Sequence, residues 1–540
     1  MMKKKMKWSA LQLIVLVLGV AFVIAAQACE GDEPEGTVPE APPVNYTQEL
    51  NWGVSSQASV ATLGLMPGDN TTEINLNWYS SGAPANKVAQ VRFIKGTLAA
   101  GTKLLEGTGT VGEAGSTGNT SHKVTVKGLE SGSSYQYAVS SDGTNWSDAY
   151  NFKVPAATGA WKFAVIADPQ LTKGNVDANS RYPAVGTTTA AGWVETMQKI
   201  TAANVSFIAS CGDQVDAGAG DEVEYTNYFA PAGLRNLPVA PTSGNHDNHM
   251  NFSYHYNLPN QQIFTGSLAE TTETATGRNY YYLYNNILFV VLDTAPYPGN
   301  TDAARPYIER FNATLTAAKA ANTGKYDWLI VQHHKSTASV GDHAADRDIQ
   351  YYVEAGFERV MSEQNVDFVL AGHDHVYARS YPLQGLDGGK VSLPDKSKSG
   401  QDNKGPKTVT ATPGKPIYLT FTTGSGLKYY AVSADKTFNY NNTLYVKDNT
   451  AYPYMGTTGT DGSADGSKVG SVFYMAGNLP VSNAAYVQPY IPSYATVDVN
   501  GKSITFKTYA IKTASATSPG ATEPYSFDEN TPYDQITVTK

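Results

Sequence analysis

Cysteine is scarce in this chain: Cys29 and Cys211 are the two in 540 residues. A framework of disulfides is therefore excluded as the source of its stability. A basic excess is missing as well. Lys and Arg number 39 against 48 Asp and Glu, and a net charge of −9 argues against a nucleic-acid binder, which needs a basic face. No internal repeat is evident. What remains is a globular composition, 41% hydrophobic, in a chain too long for one ordinary core, which predicts two domains. The 35 tyrosines and 49 glycines suggest a β-rich, loop-rich protein working outside the cytoplasm.

The first residues agree with that location. Lys3, Lys4, Lys5 and Lys7 precede an apolar stretch, Leu11–Ala26, and Ala26-Gln27-Ala28 lead into Cys29. The apolar core is short and small residues follow it, which reads as a signal peptide over 1–28 rather than a spanning helix. The junction resembles a bacterial lipoprotein lipobox, with Ala26 where leucine is more usual. That resemblance implies a lipid on Cys29 and an exported protein, anchored to the outer membrane, the cell surface or the periplasmic side of a Gram-negative-type envelope. Plain cleavage and secretion is the alternative. With Cys29 lipidated, Cys211 has no intrachain partner.

Residues 29–49 are acidic and proline-rich, as suits a solvated spacer. From 50 to about 156 short alternating segments follow one another: Ser59–Leu65, Glu73–Tyr79, Lys87–Lys95, His122–Leu129 and Ser134–Val139. Their spacing predicts a small β-sandwich. The run LESGSSYQY resembles the fibronectin type III pattern at Leu129, Gly132, Tyr135 and Tyr137, where a corner tyrosine fixes a loop and carries no chemistry.

Over 160–540 the texture changes. Apolar strands at Trp161–Ile166, Val205–Ser210, Leu288–Leu292, Trp328–Gln332 and Val366–Leu370 alternate with helical stretches at Trp193–Ala203, Ala303–Ala320 and Ile349–Gln364. Alternation of this kind predicts a layered α/β (α+β) domain, mixed β-sheets flanked by helices. The stretches 385–405 and 456–471 read as exposed insertions. The closing strands Tyr494–Val499 and Ser503–Ala510 read as part of the same sheet system.

Five of the strand ends carry polar clusters. They are Asp168-Pro169-Gln170; CGDQVD with Asp213 and Asp216; SGNHDNH with Asn245, His246, Asp247 and His249; VQHHKS with His333 and His334; and AGHDHVYARS with His373, His375 and Arg379. Singly each is an ordinary turn or surface loop. Together, each directly after an apolar run, they fall on one sheet edge, where open α/β sheets bind ligands. Carboxylates, amide oxygens and imidazoles form a mixed oxygen/nitrogen donor set that suits iron, manganese or zinc. The donors outnumber what one tetrahedral ion takes, and two ions sharing a carboxylate, about 3.5–4 Å apart, is the simplest arrangement.

The order Asp-x-Gln, Gly-Asp-x-x-Asp, Gly-Asn-His-Asp, His-x-Ser and Gly-His-x-His, over residues 166–376, resembles the calcineurin-like metallophosphoesterase superfamily. With the preceding sandwich, the chain is most similar to bacterial relatives of purple acid phosphatases, over residues 50–510. The resemblance implies a metallophosphoesterase sandwich fold and hydrolysis of small phosphate esters, a metal-bridging hydroxide being the nucleophile. It also implies two divalent or trivalent transition-metal ions. Asp213 would bridge them; Asp168, Gln170 and His375 would bind the first, Gln170 standing where the family has histidine. Asn245, His334 and His373 would bind the second, with His333 as the competing register. His246 would face the substrate, held by Asp216, and His343 in GDHAAD is a further phosphate or leaving-group contact. His249 and Arg379 carry less; Arg379 is a brace for the Gly-His-x-His loop.

Two departures bear on activity. Asp216 stands where purple acid phosphatases place the tyrosine that binds ferric iron, so no purple colour is expected. Ala217 and Gly218 replace the Arg-Gly of many protein phosphatases of the superfamily, which weakens a protein phosphatase reading. A phosphodiesterase or nucleotide hydrolase using the same centre is the near alternative. A non-catalytic surface-binding lipoprotein is the distant one.

Overall fold

The computed structural model describes residues 60–96, 104–114, 118–172, 191–217, 222–247, 249–270, 277–341, 343, 346–386, 390–392, 407–426, 428–430, 483–489, 491–511 and 529–540. The signal peptide, Cys29, the linker to residue 49, Gly218, most of 385–405 and all of 456–471 lie outside them.

The N-terminal region is all β. One antiparallel sheet is ordered β1 (Ala61–Pro67), β2 (Ile74–Ser81), β6 (Asn119–Val126), β5 (Thr110–Glu113). The other runs β4 (Leu104–Thr108), β3 (Gln90–Lys95), β7 (Ser134–Ser140), β8 (Tyr150–Lys153). Alternate residues such as Leu76, Trp78, Val91, Phe93, Tyr135 and Tyr137 fill the space between the sheets, as the two-residue strand period requires. The Tyr135 hydroxyl accepts the Glu130 N–H at 2.8 Å, which is the loop-fixing role expected of it. Strands β4, β5 and β8 escape sequence reading because they are only four or five residues long, and β4 and β5 carry glycine and threonine as well.

The second region holds two seven-stranded mixed sheets. The first is ordered β11 (Val239–Pro241), β10 (Ile208–Ser210), β9 (Trp161–Ile166), β22 (Ser493–Asn500), β23 (Ser503–Ala510), β24 (Asp534–Thr539), β19 (Thr408–Thr410). The second is β12 (Tyr280–Tyr284), β13 (Ile287–Val291), β14 (Trp328–Lys335), β15 (Phe368–Gly372), β20 (Ile417–Thr420), β16 (Tyr377–Ser380), β21 (Asn483–Val487). A two-stranded hairpin, β17 (Gln384–Leu386) with β18 (Lys390–Ser392), forms a separate sheet, tied to the body of the fold by the Gly385 N–H donating to Ser362 Oγ at 2.7 Å. Phe163, Val165, Phe289, Trp328, Ile330 and Phe368 pack in the core the two sheets share.

Helices cover the remaining faces: α1 (Ala191–Ala202), α2 (Glu222–Phe229), α3 (Met250–His255), α4 (Thr301–Ala321), α5 (Arg347–Glu354) and α6 (Phe357–Glu363). The stretch read as one helix, Ile349–Gln364, is two. Gly356 sits at φ 109 between them, a conformation open to glycine that ends α5 and starts α6. On β14 the residues Trp328 and Ile330 join the inter-sheet core, while Leu329 and Val331 join the core under α4–α6. That alternation decides which of the two neighbouring histidines meets the site.

The all-β region grips the segment that follows Gly-Asn-His-Asp. Asn77 Nδ2 and Ser121 Oγ both donate to the Tyr254 carbonyl, at 2.8 and 2.7 Å. His255 lies between the rings of Tyr79 and Tyr225, at 4.2 and 3.9 Å.

Candidate metal centre

Strands β9, β10 and β11 run parallel, as do β13, β14, β15 and β20. Their carboxyl ends bring the five polar clusters together, as the order of apolar runs implies. The chain turns sharply at those ends. Asp168, Gln170, Asp213, His373 and His375 all have positive φ, between 44° and 73°. The other non-glycine positive-φ residues described are five asparagines and Thr62. For Asp, Gln and His this costs roughly 1–2 kcal/mol each, and such strain gathers at functional sites. The turn is also what lets side chains two apart, Asp168 and Gln170, serve one place.

Backbone ties hold the turns. Asp168 N–H donates to Gly212 O at 3.0 Å, Gln170 N–H to Asp213 O at 2.8 Å and Leu171 N–H to Gln214 O at 3.1 Å. Two motif glycines follow from close approach: a Cβ on Gly244 would stand 2.0 Å from Asp213 Oδ1, and one on Gly372 2.5 Å from Asp168 Oδ2.

His334 is the histidine that enters the centre. Its Nδ1–H donates to the Cys211 carbonyl at 2.9 Å, so in the neutral ring Nε2 carries the lone pair. That nitrogen lies 3.0 Å from Asn245 Oδ1, 3.2 Å from Asp213 Oδ2 and 3.2 Å from His373 Nδ1. Four lone-pair atoms thus converge in a buried place, which is stable only with a cation or a proton among them. The ionisation behaviour carries the same message. Burial opposes a charge on His334, yet Asp213 and Asp168 outweigh it and push it up to about 9. Asp213 is itself held well below the usual carboxylate range, burial notwithstanding, by His334, His246 and His373.

Asp168 and His375 meet beside this cluster, His375 Nε2 lying 3.4 Å from Asp168 Oδ1. The His375 ring is oriented by Nδ1–H donating to the Lys428 carbonyl at 2.6 Å. Both Asp168 oxygens accept the His373 N–H, each at 2.9 Å. Gln170 Nε2 donates to Asp216 Oδ1 at 2.9 Å, and its Oε1 is buried with no hydrogen-bond partner. An amide oxygen so orphaned is what a metal ligand looks like without its ion. The residues present therefore fit a pair of transition ions.

His333 faces away, its ring 4.7 Å from Phe357 under α6. Both its nitrogens are buried without partners, and burial lowers it to about 3. The expected bond between the Asp216 carboxylate and His246 is not formed. That carboxylate stands 3.6 Å from His246 Nδ1, because it takes the Gln170 amide; the ring donates to the Asp216 backbone carbonyl instead. His343 lies at the rim, Nδ1 2.6 Å from Asp346 Oδ2 and its ring 4.7 Å from that of His373. Burial works against its charge, but Asp346 and Asp374 raise it above the ordinary histidine value. His249 caps α3, accepting the Asn251 N–H at 3.3 Å. Arg379 braces the fold, bonded twice to Asp534 at 2.7 and 3.1 Å.

Several contributors lack a role in the sequence reading. Asp247 accepts from the N–H groups of Gly244, Gln214 and Val215 at 3.0–3.3 Å, locking two ligand loops together. Asp374 accepts from Gly341 and His343 at 3.1 and 2.8 Å. A sixth strand end, after β20, holds the Asp168 turn: Thr423 Oγ1 donates to Asp168 O at 2.8 Å and Ser425 Oγ to Pro169 O. Its signal was the apolar run Ile417–Phe421 followed by Gly-Ser-Gly, the same texture as the other five without a ligand-type side chain.

Residues 162–377 match the calcineurin-like phosphoesterase family. The chain carries a calcineurin-like metallophosphoesterase domain. Residues 62–154 match the purple acid phosphatase N-terminal domain, and the pair places the chain among phosphoester hydrolases. For this family a dinuclear metal centre is expected; Asp213, His334 and His373 form one group able to hold an ion. An uncharacterised protein of Mycobacterium tuberculosis, found in two strains, is 24% identical over 373 residues, 66% of this chain and 68% of its own length. A purple acid phosphatase from yellow lupin (Lupinus luteus) seeds shares the fold, with TM-score 0.56 and 13% identity over 89% of this chain and 74% of that one.

Proposed function

We propose that the protein hydrolyses small phosphate monoesters at a dinuclear transition-metal centre. The observation that carries this is the convergence of His334 Nε2 with Asn245 Oδ1, Asp213 Oδ2 and His373 Nδ1 within 3.0–3.2 Å. Asn245, His334 and His373 would hold one ion, Asp168, Gln170 and His375 the other, and Asp213 both. Bound there, the ions would supply an acidified water and Lewis-acid neutralisation of phosphoryl charge.

The chain's own groups do the rest. His246, half-buried, has Nδ1 committed to the Asp216 carbonyl, leaving its other nitrogen to meet the phosphoryl oxygens or protonate the departing one. His343 is placed likewise by Asp346, and a raised proton affinity suits a group that gives a proton to a leaving alkoxide. Water attacks phosphorus in line, the ester P–O bond breaks, and the alcohol leaves with that proton.

Asn245→Ala or His373→Ala is expected to abolish most hydrolysis of phenyl phosphate, and near-normal turnover in either would sink the assignment. Comparing rates on mono- and bis-aryl phosphates separates this reading from a phosphodiesterase. The basic, apolar and small residues before Cys29 support export and lipid anchoring at the cell surface or periplasmic face. Metabolic labelling with a radioactive fatty acid tests it, and Cys29→Ser should lose the label.

A further inference from the structure

The peptide that steers His246 is itself held from behind. His246 Nδ1–H donates to the Asp216 carbonyl. The Ala217 N–H, the other polar end of that same planar peptide unit, donates to Glu224 Oε2 at 2.7 Å. A backbone N–H usually stands about 2.9–3.0 Å from its acceptor, so this contact is a close one. In a trans peptide the carbonyl and the N–H point to opposite sides. Glu224, only 2% exposed, therefore lies across the peptide from the imidazole.

Glu224 belongs to α2, and that helix is tied to three other parts of the fold. Glu222 Oε2 accepts the His255 Nε2–H at 2.9 Å. Asn227 Nδ2 donates to the Thr172 carbonyl at 2.9 Å, and the Tyr228 carbonyl accepts the Trp193 Nε1–H at 2.7 Å. The peptide, by contrast, lies where the chain reaches the surface: Asp216 is half-buried and Ala217 exposed. The Asp216 N–H donates to the Leu171 carbonyl at 3.0 Å. That bond holds the preceding peptide and leaves the rotation of the next one open, since each residue has two soft dihedrals.

We propose that Glu224 is a positioning residue for His246. By taking the Ala217 N–H it fixes the 216–217 peptide, and through the carbonyl of that peptide the tautomer and ring direction of the histidine. This rests on the reading of the site as a phosphoester hydrolase in which His246 meets the phosphoryl group. Hydrogen bonds in series also strengthen one another, so an acceptor on the N–H makes the carbonyl a better acceptor for the imidazole. With Nδ1 so held, Nε2 is the nitrogen turned to the substrate. What acts is the accepting oxygen, and an amide oxygen in the same place serves as well.

The test is a double-mutant cycle on kcat/KM for phenyl phosphate, with metal content and thermal midpoint measured on every variant. Glu224→Ala should lower kcat/KM about tenfold at the metal content of wild type, a part of the roughly 10²–10⁴-fold that a proton-transferring group supplies. Glu224→Gln keeps an acceptor and should restore most of the loss. In a His246→Ala background Glu224→Ala should cost less than about twofold, because the group it acts through is gone. Equal losses in the two backgrounds would make Glu224 a general brace and overturn the assignment. Unchanged activity of Glu224→Ala with the histidine present would overturn it too, and so would Glu224→Gln as impaired as Glu224→Ala. Wild type that binds its metals and leaves phenyl phosphate intact would instead overturn the reading of the site, and this role with it.

Discussion

In the second half of the centre, three neutral-type donors close on one point: Asn245 Oδ1 and His373 Nδ1 lie 3.0 and 3.2 Å from the third, His334 Nε2. In the first half, Asp168 and His375 stand 3.4 Å apart, and the third donor is the Gln170 amide, positioned by Asp216 rather than by a backbone carbonyl. Both halves use strand-end turns with positive φ, and in the proposed centre Asp213 would serve both. What separates them is donor strength. An amide oxygen is neutral and a weaker donor than imidazole, and its aim depends on one carboxylate that is itself partly exposed. The two ions should therefore differ in affinity, the first leaving before the second.

The largest break in that comparison is His334→Ala. It removes a proposed ligand and the contact that joins Asp213 to His373, so kcat/KM on phenyl phosphate should fall by more than the roughly 10–100-fold typical of a residue outside the ligand set. Metal analysis should find the second ion gone. Asp216→Ala comes next: it frees the Gln170 amide to rotate, and the affinity of the first ion should drop about 10–100-fold, measured by competition with a chelator. Gln170→His works in the opposite sense, raising that affinity about tenfold. No change would make Gln170 a turn residue beside the site. The smallest effect belongs to His333→Leu. Two buried, unpartnered nitrogens disappear, and stability should rise by about 1 kcal/mol, seen in the thermal midpoint, with phenyl phosphate turnover kept.

His333 and His334 also show what could be read without coordinates. Alternation along Trp328–Lys335 was visible, and His334 was preferred on the family resemblance; in the structure the strand divides two cores, with His334 and His333 on opposite faces. The layered sheets and the five clusters were readable because apolar runs end abruptly in polar ones. The break at Gly356 was hidden inside a continuous helical pattern. Asp247 and Asp374 lacked roles because their work is to accept backbone N–H groups across loops, which leaves no mark on residue type. The loop from Thr423 to Tyr430 went unread for the same reason: it acts through hydroxyls and a carbonyl. Asp216 does hold His246, but through its backbone carbonyl, and the second partner of its carboxylate, Gln170, shows only in the fold.

The measurement that bears most directly on the centre is metal stoichiometry during graded chelation, by elemental analysis of wild type and Gln170→His reconstituted with iron, manganese or zinc. The account predicts two ions per chain in both, lost in two steps from wild type and with the first step shifted to stronger chelation in Gln170→His. Fewer than one ion per chain after reconstitution would contradict the dinuclear reading and favour a binding protein. Two ions lost together, with no shift in the variant, would contradict the difference between the halves.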